Sequence, residues 1–238
     1  MFELNIQKNW IDALYARSSV RQYTSAPDKA QLDKLGETCR KLSWQGVKIR
    51  MFKGPGLKSQ IKGTDVYAVI VAKRGTPMEV EGYMGEALVL EATSMGLGTC
   101  WLGAGFYSDI INRNVDLQTD EAVHCVISIG KANLPAFAPK RKELVKVCGM
   151  DEAQLGQLGA WQKEAVLAAR LAPSAINQQP WKIVADKTSV SILETTVLYK
   201  KYAPLDRGIC MLHAAVGAAK AGRTGLWKKV DGGYAMKA

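Results

Sequence analysis

Two helix exits in this 238-residue chain carry the same spacing of small and aromatic residues. The first reads LEATSMGLGTCW (90–101), and the second reads VGAAKAGRTGLW (216–227). Three pairs match at one common offset of 126 positions, namely Ala92 with Ala218, Gly96 with Gly222 and Trp101 with Trp227. Self-similarity at a fixed offset is typical of a duplicated structural unit, and chance likeness between two amphipathic helices is the alternative. The repeat alone does not decide between them.

Hydrophobic periodicity and helix-end residues predict helices that alternate with a small number of strands. Helices are expected over residues 9–16, 26–42, 79–98, 107–115, 159–172 and 206–222, and strands over 65–74, 121–132, 181–186 and 189–195. The glycine-containing stretches 52–63 and 96–105 are expected to be loops. This order of elements predicts a mixed α+β fold.

Composition excludes several classes of protein. The net charge is +10, but the lysines and arginines are spread along the chain without a recognition motif, which favours a solvated basic surface over a nucleic-acid partner. The five cysteines are odd in number and form no C-x-x-C pair, so neither a disulfide framework nor a metal site is expected. No apolar run approaches the ~20 residues that span a bilayer, and the first residues do not resemble a secretory signal. We therefore expect a cytoplasmic protein with no membrane partner.

Three motifs together resemble the FMN-dependent nitroreductase family. They read RSSVRQY (17–23), EALVLEATSMGLGTCWLG (86–103) and APSAINQQPW (172–181). In ordinary family members, the first and last of these lie about one helix apart in the same subunit, and FMN binds at a homodimer interface. The resemblance covers most of the chain, and it implies a nitroreductase-like fold, FMN as cofactor and NADH or NADPH as electron donor.

The arrangement of the motifs departs from the family pattern. After the helix that follows RSSVR, the family's A-P-S loop is replaced by SWQGVKIRMF (43–52). At the positions 126 residues after Arg17, Ser19 and Arg21, the chain has Glu143, Val145 and Val147, which offer no phosphate donors. Each half thus retains the half-site that the other lacks. The resemblance therefore implies a compact single-chain branch with two tandem shortened units, 1–148 and 149–238, packed as an intrachain pseudo-dimer around a mixed or antiparallel sheet flanked by helices.

The first unit is expected to hold the phosphate of FMN. Phosphate needs charge-assisted donors, which Arg17 and Ser19 supply together with the backbone N–H of Ser18. By its place in the family motif, Arg21 would reach the ribityl chain and the N1/O2 edge of the flavin. Two further phosphate donors are expected after the second strong strand, at Lys140 and Arg141, with Arg141 the better candidate. The alternatives are a surface turn that caps a helix and a solvated charge run.

The flavin edge is expected to be contacted by two loops. Pro173, Ser174 and Asn177 match family positions, and the amide of Asn177 offers both a donor and an acceptor. Ala175 stands where many members have a second serine. After the third motif, the backbone N–H groups of Gly103 and Ala104 are expected to face N5 and O4. Gln179, Pro180 and Trp181 are interpreted as structural residues of the loop.

The resemblance implies hydride transfer from NADH or NADPH through FMN to a nitroaromatic, a quinone or a similar acceptor. No catalytic acid or base is required of the protein, and both histidines, His124 and His213, lie in apolar stretches typical of a core. The expected assembly is a monomer or weak homo-oligomer. Two alternatives stay open: a flavin-binding protein without turnover or with a specialised substrate, and a basic nucleic-acid-binding protein.

Overall fold

The computed structural model describes residues 4–44, 46–133 and 140–237, and these form an α+β structure with eight α-helices and two antiparallel sheets. The helices are α1 (Asn9–Ala16), α2 (Lys29–Leu42), α3 (Met78–Ser94), α4 (Ser108–Asn114), α5 (Leu144–Cys148), α6 (Glu152–Gly156), α7 (Ala160–Arg170) and α8 (Ala203–Lys220). The strands are β1 (Val47–Lys53), β2 (Val66–Lys73), β3 (Gly98–Leu102), β4 (Glu121–Gly130), β5 (Trp181–Ala185), β6 (Val190–Glu194), β7 (Leu226–Val230) and β8 (Gly233–Lys237).

The two sheets share one topology. The first has the strand order β1-β2-β4-β3, and the second has the order β5-β6-β8-β7, so each strand of one sheet has a counterpart four strands later along the chain. A long helix follows the second strand in both cases, α3 in the first and α8 in the second. The order of elements is therefore duplicated along the chain.

The helix exits themselves are built in the same way. The N–H of Leu97 donates to the carbonyl of Ala92 over 3.0 Å, and the N–H of Arg223 donates to that of Ala218 over the same distance. Between them, Gly96 and Gly222 adopt left-handed φ values of 75° and 74°. This is the Schellman motif, in which a glycine without a Cβ ends the helix at no steric cost. The matched alanines and glycines thus encode one helix-to-strand connection, used twice.

The chain divides into two compact units, each containing one sheet. We call them the β1–β4 unit, which combines Ala16–Pro77 and Met84–Ala138, and the β5–β8 unit, which combines Met1–Tyr15, Met78–Tyr83 and Pro139–Ala238. In the β1–β4 unit, one face of the sheet buries an apolar cluster that includes Tyr67, Val69 and Val126. In the β5–β8 unit, α7 packs along α8. The boundary between residues 148 and 149 stays a prediction.

The α+β class is confirmed, and all ten predicted helices and strands are present, the first helix with the predicted ends and the others with shifted ends. The sequence analysis missed four strands, β1, β3, β7 and β8, and the two short helices α5 and α6. Part of the stretch 96–105 is strand β3 and not a loop, because Gly98 to Leu102 pair with the second half of β4. The sheets are purely antiparallel, one in each half of the chain.

The core position predicted for His213 is confirmed, whereas His124 is less buried than predicted. All five cysteines are free and buried, and His213 has no exposed surface. His124 lies in β4 as predicted but is only half-buried. Within the described ranges, no helix combines the length and the apolar character needed to cross a membrane.

Candidate functional site

The first group of candidate residues lies between α1 and α2, in the β1–β4 unit. This segment runs beside the edge strand β3, because the N–H of Val20 donates to the carbonyl of Thr99 over 2.8 Å and Ser19 forms a parallel bridge with Thr99. The close approach requires a glycine in β3: a Cβ placed on Gly98 would lie 2.9 Å from Cγ2 of Val20. The RSSVR turn is therefore fixed in position by backbone contacts.

Arg17 is buried beside a buried carboxylate. Its side chain is 4% exposed, its Nε lies 3.7 Å from Oε1 of Glu86, and its Nη2 donates to Oγ of Ser19 over 3.4 Å. Glu86 has no exposed side-chain surface, and its Oε2 accepts from Nε1 of Trp101 over 2.7 Å. A buried arginine needs such compensation, since an isolated charge is strongly disfavoured in a protein interior. Glu86 therefore holds the guanidinium in place.

Two polar atoms in this group lack hydrogen-bond partners. Nε of Arg17 and Oγ of Ser18 are both buried and make no hydrogen bond to any residue that the structure describes. Leaving such groups unsatisfied costs about 1–3 kcal/mol each, so native proteins rarely bury them without a ligand, an ion or water. A guanidinium N–H followed by hydroxyls at two consecutive positions, Ser18 and Ser19, suits an oxyanion. The donor set of this turn fits the phosphate of FMN.

Arg21 differs from Arg17 in exposure. Its side chain is exposed, while its carbonyl accepts from the N–H of Lys62 over 2.9 Å. Burial raises the pKa of the Cys100 thiol, and the positive charges of Arg21 and Arg17 lower it in part. Cys100 is therefore a packed, protonated thiol, and both arginines of the motif lie close enough to β3 to affect its pKa.

Gly103 and Ala104 follow directly after β3. They form a bend in which Gly103 is half-buried and Ala104 is exposed. The next residue, Gly105, has a φ of 92°, and its carbonyl accepts from the N–H of Lys58 over 2.8 Å. The bend is thus anchored on both sides, and its backbone contact with flavin stays a prediction.

The second group lies in the β5–β8 unit, where the structure brings two predicted motifs together. Nη1 of Arg141 donates to Oδ1 of Asn177 over 2.7 Å, and its Nε donates to the carbonyl of Leu171 over 3.2 Å. Nδ2 of Asn177 donates to the carbonyl of Lys140 over 3.0 Å. The basic segment and the flavin-edge loop are therefore one structural unit, although they lie more than thirty residues apart in the sequence.

The loop 173–179 has an unusual backbone. Ala175–Asn177 form a 3-10 turn, and Ile176, Asn177 and Gln179 have φ values of 48°, 55° and 50°. Left-handed φ is disfavoured for residues with a Cβ, most of all for a β-branched residue such as isoleucine. Such strain persists only where the surroundings hold it, and it concentrates at binding sites.

Gln179 and Ser174 hold this backbone in place. The buried side chain of Gln179 accepts from the N–H of Lys142 over 2.9 Å and donates to the carbonyl of Asn177 over 3.1 Å. Oγ of Ser174 accepts from the N–H of Gln179 over 2.8 Å. Gln179 thus has the loop-locking role assigned to it from the sequence, and the hydroxyl of Ser174 is engaged within the loop.

Asp206 of α8 holds the same loop from the other side. Both of its carboxylate oxygens lie 3.1 Å from the N–H of Ala175, and the residue is 3% exposed. Burial raises the pKa of this carboxyl to about 7, although the Ala175 N–H and the charge of Arg207 oppose the shift. The loop is therefore attached to a group that titrates near neutral pH.

The hydrogen bonds that Asn177 and Arg141 make within the protein limit the contacts that each can make with a ligand. The amide oxygen of Asn177 accepts from Arg141 and from Gln179, and one of its two amide hydrogens donates to the carbonyl of Lys140. The second amide hydrogen has no acceptor in the described part of the chain and can donate to a ligand. Two nitrogens of Arg141 already donate hydrogen bonds, Nε to the carbonyl of Leu171 and Nη1 to Asn177. Lys140, by contrast, is exposed, and no contact of its ammonium is seen among the described residues.

Sequence reasoning missed Glu86 and Asp206. Both are acids that lie fully within apolar helical stretches, α3 and α8, and each is at least 97% buried. An acid that breaks an apolar helix face needs a compensating donor, and this is the signal that was available. The compensating groups are the ion-paired Arg17 and the donor Trp101 for Glu86, and the N–H of Ala175 for Asp206. They are not identifiable from sequence spacing.

Comparison with known proteins agrees with this architecture. A crystal structure from Thermotoga maritima described as a "putative nitroreductase" is 23% identical and aligns over 100% of this chain and 97% of its own, with a TM-score of 0.71. An FMN-dependent nitroreductase from Clostridium difficile R20291 is 20% identical over 55% of this chain and 91% of its own, with a TM-score of 0.45. A "putative NADH dehydrogenase/NAD(P)H nitroreductase" from Parabacteroides distasonis is 20% identical over 59% of this chain and 96% of its own, with a TM-score of 0.47.

No protein of curated function matches the sequence. The family model described as "Putative TM nitroreductase", however, matches residues 9–218, which include both groups of candidate residues. The likeness to the full-length Thermotoga structure extends over the same duplicated order of strands and helices. The chain belongs to this nitroreductase family and has a nitroreductase-like fold.

Proposed function

We propose that this protein is an FMN-dependent oxidoreductase that transfers hydride from NADH or NADPH to a nitroaromatic, a quinone or a similar acceptor. Membership of the nitroreductase family supports the reaction class. The observation that carries the proposal is a pair of buried donors in the RSSVR turn, Nε of Arg17 and Oγ of Ser18, that form no hydrogen bond with a described residue. These atoms fit a phosphate group, and FMN ends in one.

Each candidate residue has a role in this proposal. Arg17, Ser18 and Ser19 would bind the phosphate, and Arg21 would extend toward the ribityl chain. Of the two cations after β4, Lys140 is the one whose side chain is uncommitted within the described residues, whereas Arg141 supports Asn177. The loop residues Pro173, Ser174 and Ala175 with Asn177, and the bend of Gly103 and Ala104, would contact the flavin ring.

The chemistry would come from the cofactor, because bound FMN accepts and donates hydride. The residues of this chain would bind and orient it. The strained loop 173–179 favours that role: held by Gln179 and Asp206, it presents backbone groups in one conformation and loses little entropy on binding. A rigid loop is what a planar ring with fixed hydrogen-bonding positions requires.

A flavin titration tests the proposal. The flavin-stripped protein is titrated with FMN and with riboflavin, which lacks only the phosphate. Charged hydrogen bonds to the phosphate should make FMN bind at least about tenfold more tightly. Equal affinities would remove the assignment of the RSSVR turn, and failure to bind either flavin would overturn the proposal. FMN binding without reduction by either nicotinamide would favour the flavin-binding alternative without turnover.

A further inference from the structure

A cavity lined by both polar and apolar groups lies in the β5–β8 unit. It has a volume of about 500 Å³ and opens where β6 ends and α8 begins. Its lining includes Glu194, Thr195, Thr196, Lys200, Pro204 and Arg207, none of which belongs to the motifs already described. A volume of this size accommodates a small organic ligand.

Arg207 is the buried cation of this cavity. Its side chain is 10% exposed, and its Nη2 donates to Oε1 of Glu79 over 2.7 Å. Its Nη1 lies 3.9 Å from Oε2 of Glu194, beyond hydrogen-bond distance, and its Nε is buried with no partner in the described part of the chain. A guanidinium has five N–H donors, and here a single hydrogen bond to described residues is formed. Glu79 orients the guanidinium of Arg207, and most of the N–H groups of that guanidinium donate to no described residue.

The other lining groups favour a negative ligand. Lys200 is exposed at the rim, and the hydroxyls of Thr195 and Thr196 form no hydrogen bond with a described residue. Pro204 lies in the first turn of the 18-residue α8, whose N-terminus carries partial positive charge. The opposing carboxylate, Glu194, is 64% exposed, so it can turn into solvent when a stronger acceptor enters.

We propose that this cavity binds a small ligand through an oxyanion, a carboxylate or a phosphate, held by Nη1 of Arg207 and the ammonium of Lys200. Arginine suits both groups, since its planar donors match their paired oxygens. The site does not depend on the FMN proposal, because all its residues are separate from the two candidate groups.

Occupancy of the cavity should also affect the loop 173–179. The side chain of Gln178 donates to the carbonyl of Tyr199 over 2.9 Å and accepts from its N–H over 3.0 Å, which ties the cavity wall to the loop. Asp206, which holds Ala175, is adjacent to Arg207 in α8. A ligand on Arg207 and Lys200 should therefore slow amide hydrogen exchange at Ala175.

The test uses the full chain with and without excess FMN, so that phosphate bound at the flavin site is recognised by its displacement when FMN is present. Inorganic phosphate and benzoate are titrated separately by calorimetry, with sodium chloride at matched ionic strength as the reference. We expect saturable binding of one or both: phosphate alone identifies a phosphorylated ligand, benzoate alone a carboxylic acid, and both the shared oxyanion chemistry. No saturable binding of either probe would overturn the proposal.

Matched variants locate the binding. Lys200→Gln should weaken it by about tenfold or more, whereas Lys201→Gln, which removes the neighbouring charge outside the cavity lining, should not. Arg207→Lys should also weaken it, and if that variant fails to fold, Thr196→Val replaces it. The Arg17→Ala chain should retain phosphate binding. Loss of binding in Arg17→Ala, or unchanged binding in Lys200→Gln, would contradict the site.

Discussion

Nη1 of Arg141 donates a 2.7 Å hydrogen bond to Oδ1 of Asn177. This contact joins the basic segment that follows β4 to the loop that follows α7. The sequence predicts that Arg141 is a phosphate donor and that Asn177 contacts the flavin edge, but in the fold Arg141 supports Asn177. The conformation of the loop, and with it any contact to a flavin ring, depends on this pair.

A double-mutant cycle measures the coupling free energy between Arg141 and Asn177. We expect Arg141→Ala and Asn177→Gly to be non-additive in the free energy of unfolding, with a coupling of about 1–3 kcal/mol, because the bond involves a charged donor. Glycine is used at position 177 because it keeps the left-handed φ of 55° without strain. Urea unfolding of the four proteins gives the coupling.

Lys140 provides the matched control for that cycle. It contacts Asn177 through its main-chain carbonyl, so Lys140→Ala combined with Asn177→Gly should be additive to within about 0.5 kcal/mol. Coupling of equal size in both cycles would mean that the side chain of Arg141 has no specific role.

Ser18→Ala separates ligand binding from folding. The Ser18 hydroxyl is buried and unpartnered within the described residues, so its removal should leave the stability of the flavin-free protein unchanged or slightly raised. If the hydroxyl donates to the phosphate, FMN affinity should fall by about 1–2 kcal/mol. Fluorescence titration and thermal unfolding measure the two quantities.

Ser128 serves as the contrasting position, since it is buried in the same unit and its Oγ lies 2.8 Å from the hydroxyl of Tyr23. Ser128→Ala should cost about 1 kcal/mol in stability and leave FMN affinity unchanged. The opposite pattern, with Ser18→Ala destabilising and FMN affinity intact, would assign Ser18 to the fold and not to the cofactor.

Asp206 predicts a specific dependence of stability on pH. An aspartate in an unfolded chain titrates near a pKa of about 3.9, whereas burial raises the pKa of Asp206 to about 7. The protonated form is therefore favoured by folding, and the wild-type free energy of unfolding declines as pH rises from about 4 to about 7. The substitution Asp206→Asn should remove this decline in the free energy of unfolding, because asparagine does not titrate.

The stability of Asp206→Asn relative to wild type should increase by about 2–3 kcal/mol between pH 5 and pH 8. Asp33→Asn, at an exposed position of α2, is the control and should show little change over the same range. A difference between Asp206→Asn and wild type that is constant across this range would show that Asp206 does not titrate as the fold implies.

The stoichiometry of FMN should be one per chain. A second site would need donors at the positions equivalent to the RSSVR turn, but Glu143 precedes α5, Val145 lies within it and Val147 is buried there. A carboxylate beside a phosphate is repulsive, and valine has no side-chain donor. FMN released per mole of denatured protein gives the number.

Mixing variants adds a test of whether one chain is sufficient. An Arg17→Ala chain and an Asn177→Ala chain, each impaired in FMN binding, should not recover binding when combined. Recovery on mixing would mean that residues of two chains complete each site, in conflict with one self-sufficient FMN per chain.

The parts of the fold that were predictable carry local signals. The exits of α3 and α8 have glycines at the left-handed position, and β2 and β4 are long apolar runs. The missed strands β3, β7 and β8 have five residues each. β3 depends on pairing with the more distant β4, whereas β7 and β8 form a hairpin in which three of the five residues of β7 are exposed, so its apolar alternation is weak. Apolar residues do alternate at the start of β1, where Val47 and Ile49 are buried. This strand was not predicted because the family resemblance places a loop at the same point of the sequence.

The candidate site was predictable to a similar degree. Motif likeness locates both groups of residues, since Arg17 and Asn177 occupy recognisable positions. It does not show that Glu86 already neutralises Arg17, or that Asn177 is engaged by Arg141. Those contacts are tertiary, and spacing along the chain holds no information on them.

The absorbance of the FMN-saturated protein after anaerobic addition of NADH or NADPH tests the central claim most directly. The oxidised flavin spectrum should bleach with at least one of the two donors, and a nitroaromatic or quinone added afterwards should restore it, because hydride passes to the bound cofactor and then to the acceptor. A flavin spectrum that neither nicotinamide changes would contradict the assignment of this protein as an FMN-dependent oxidoreductase.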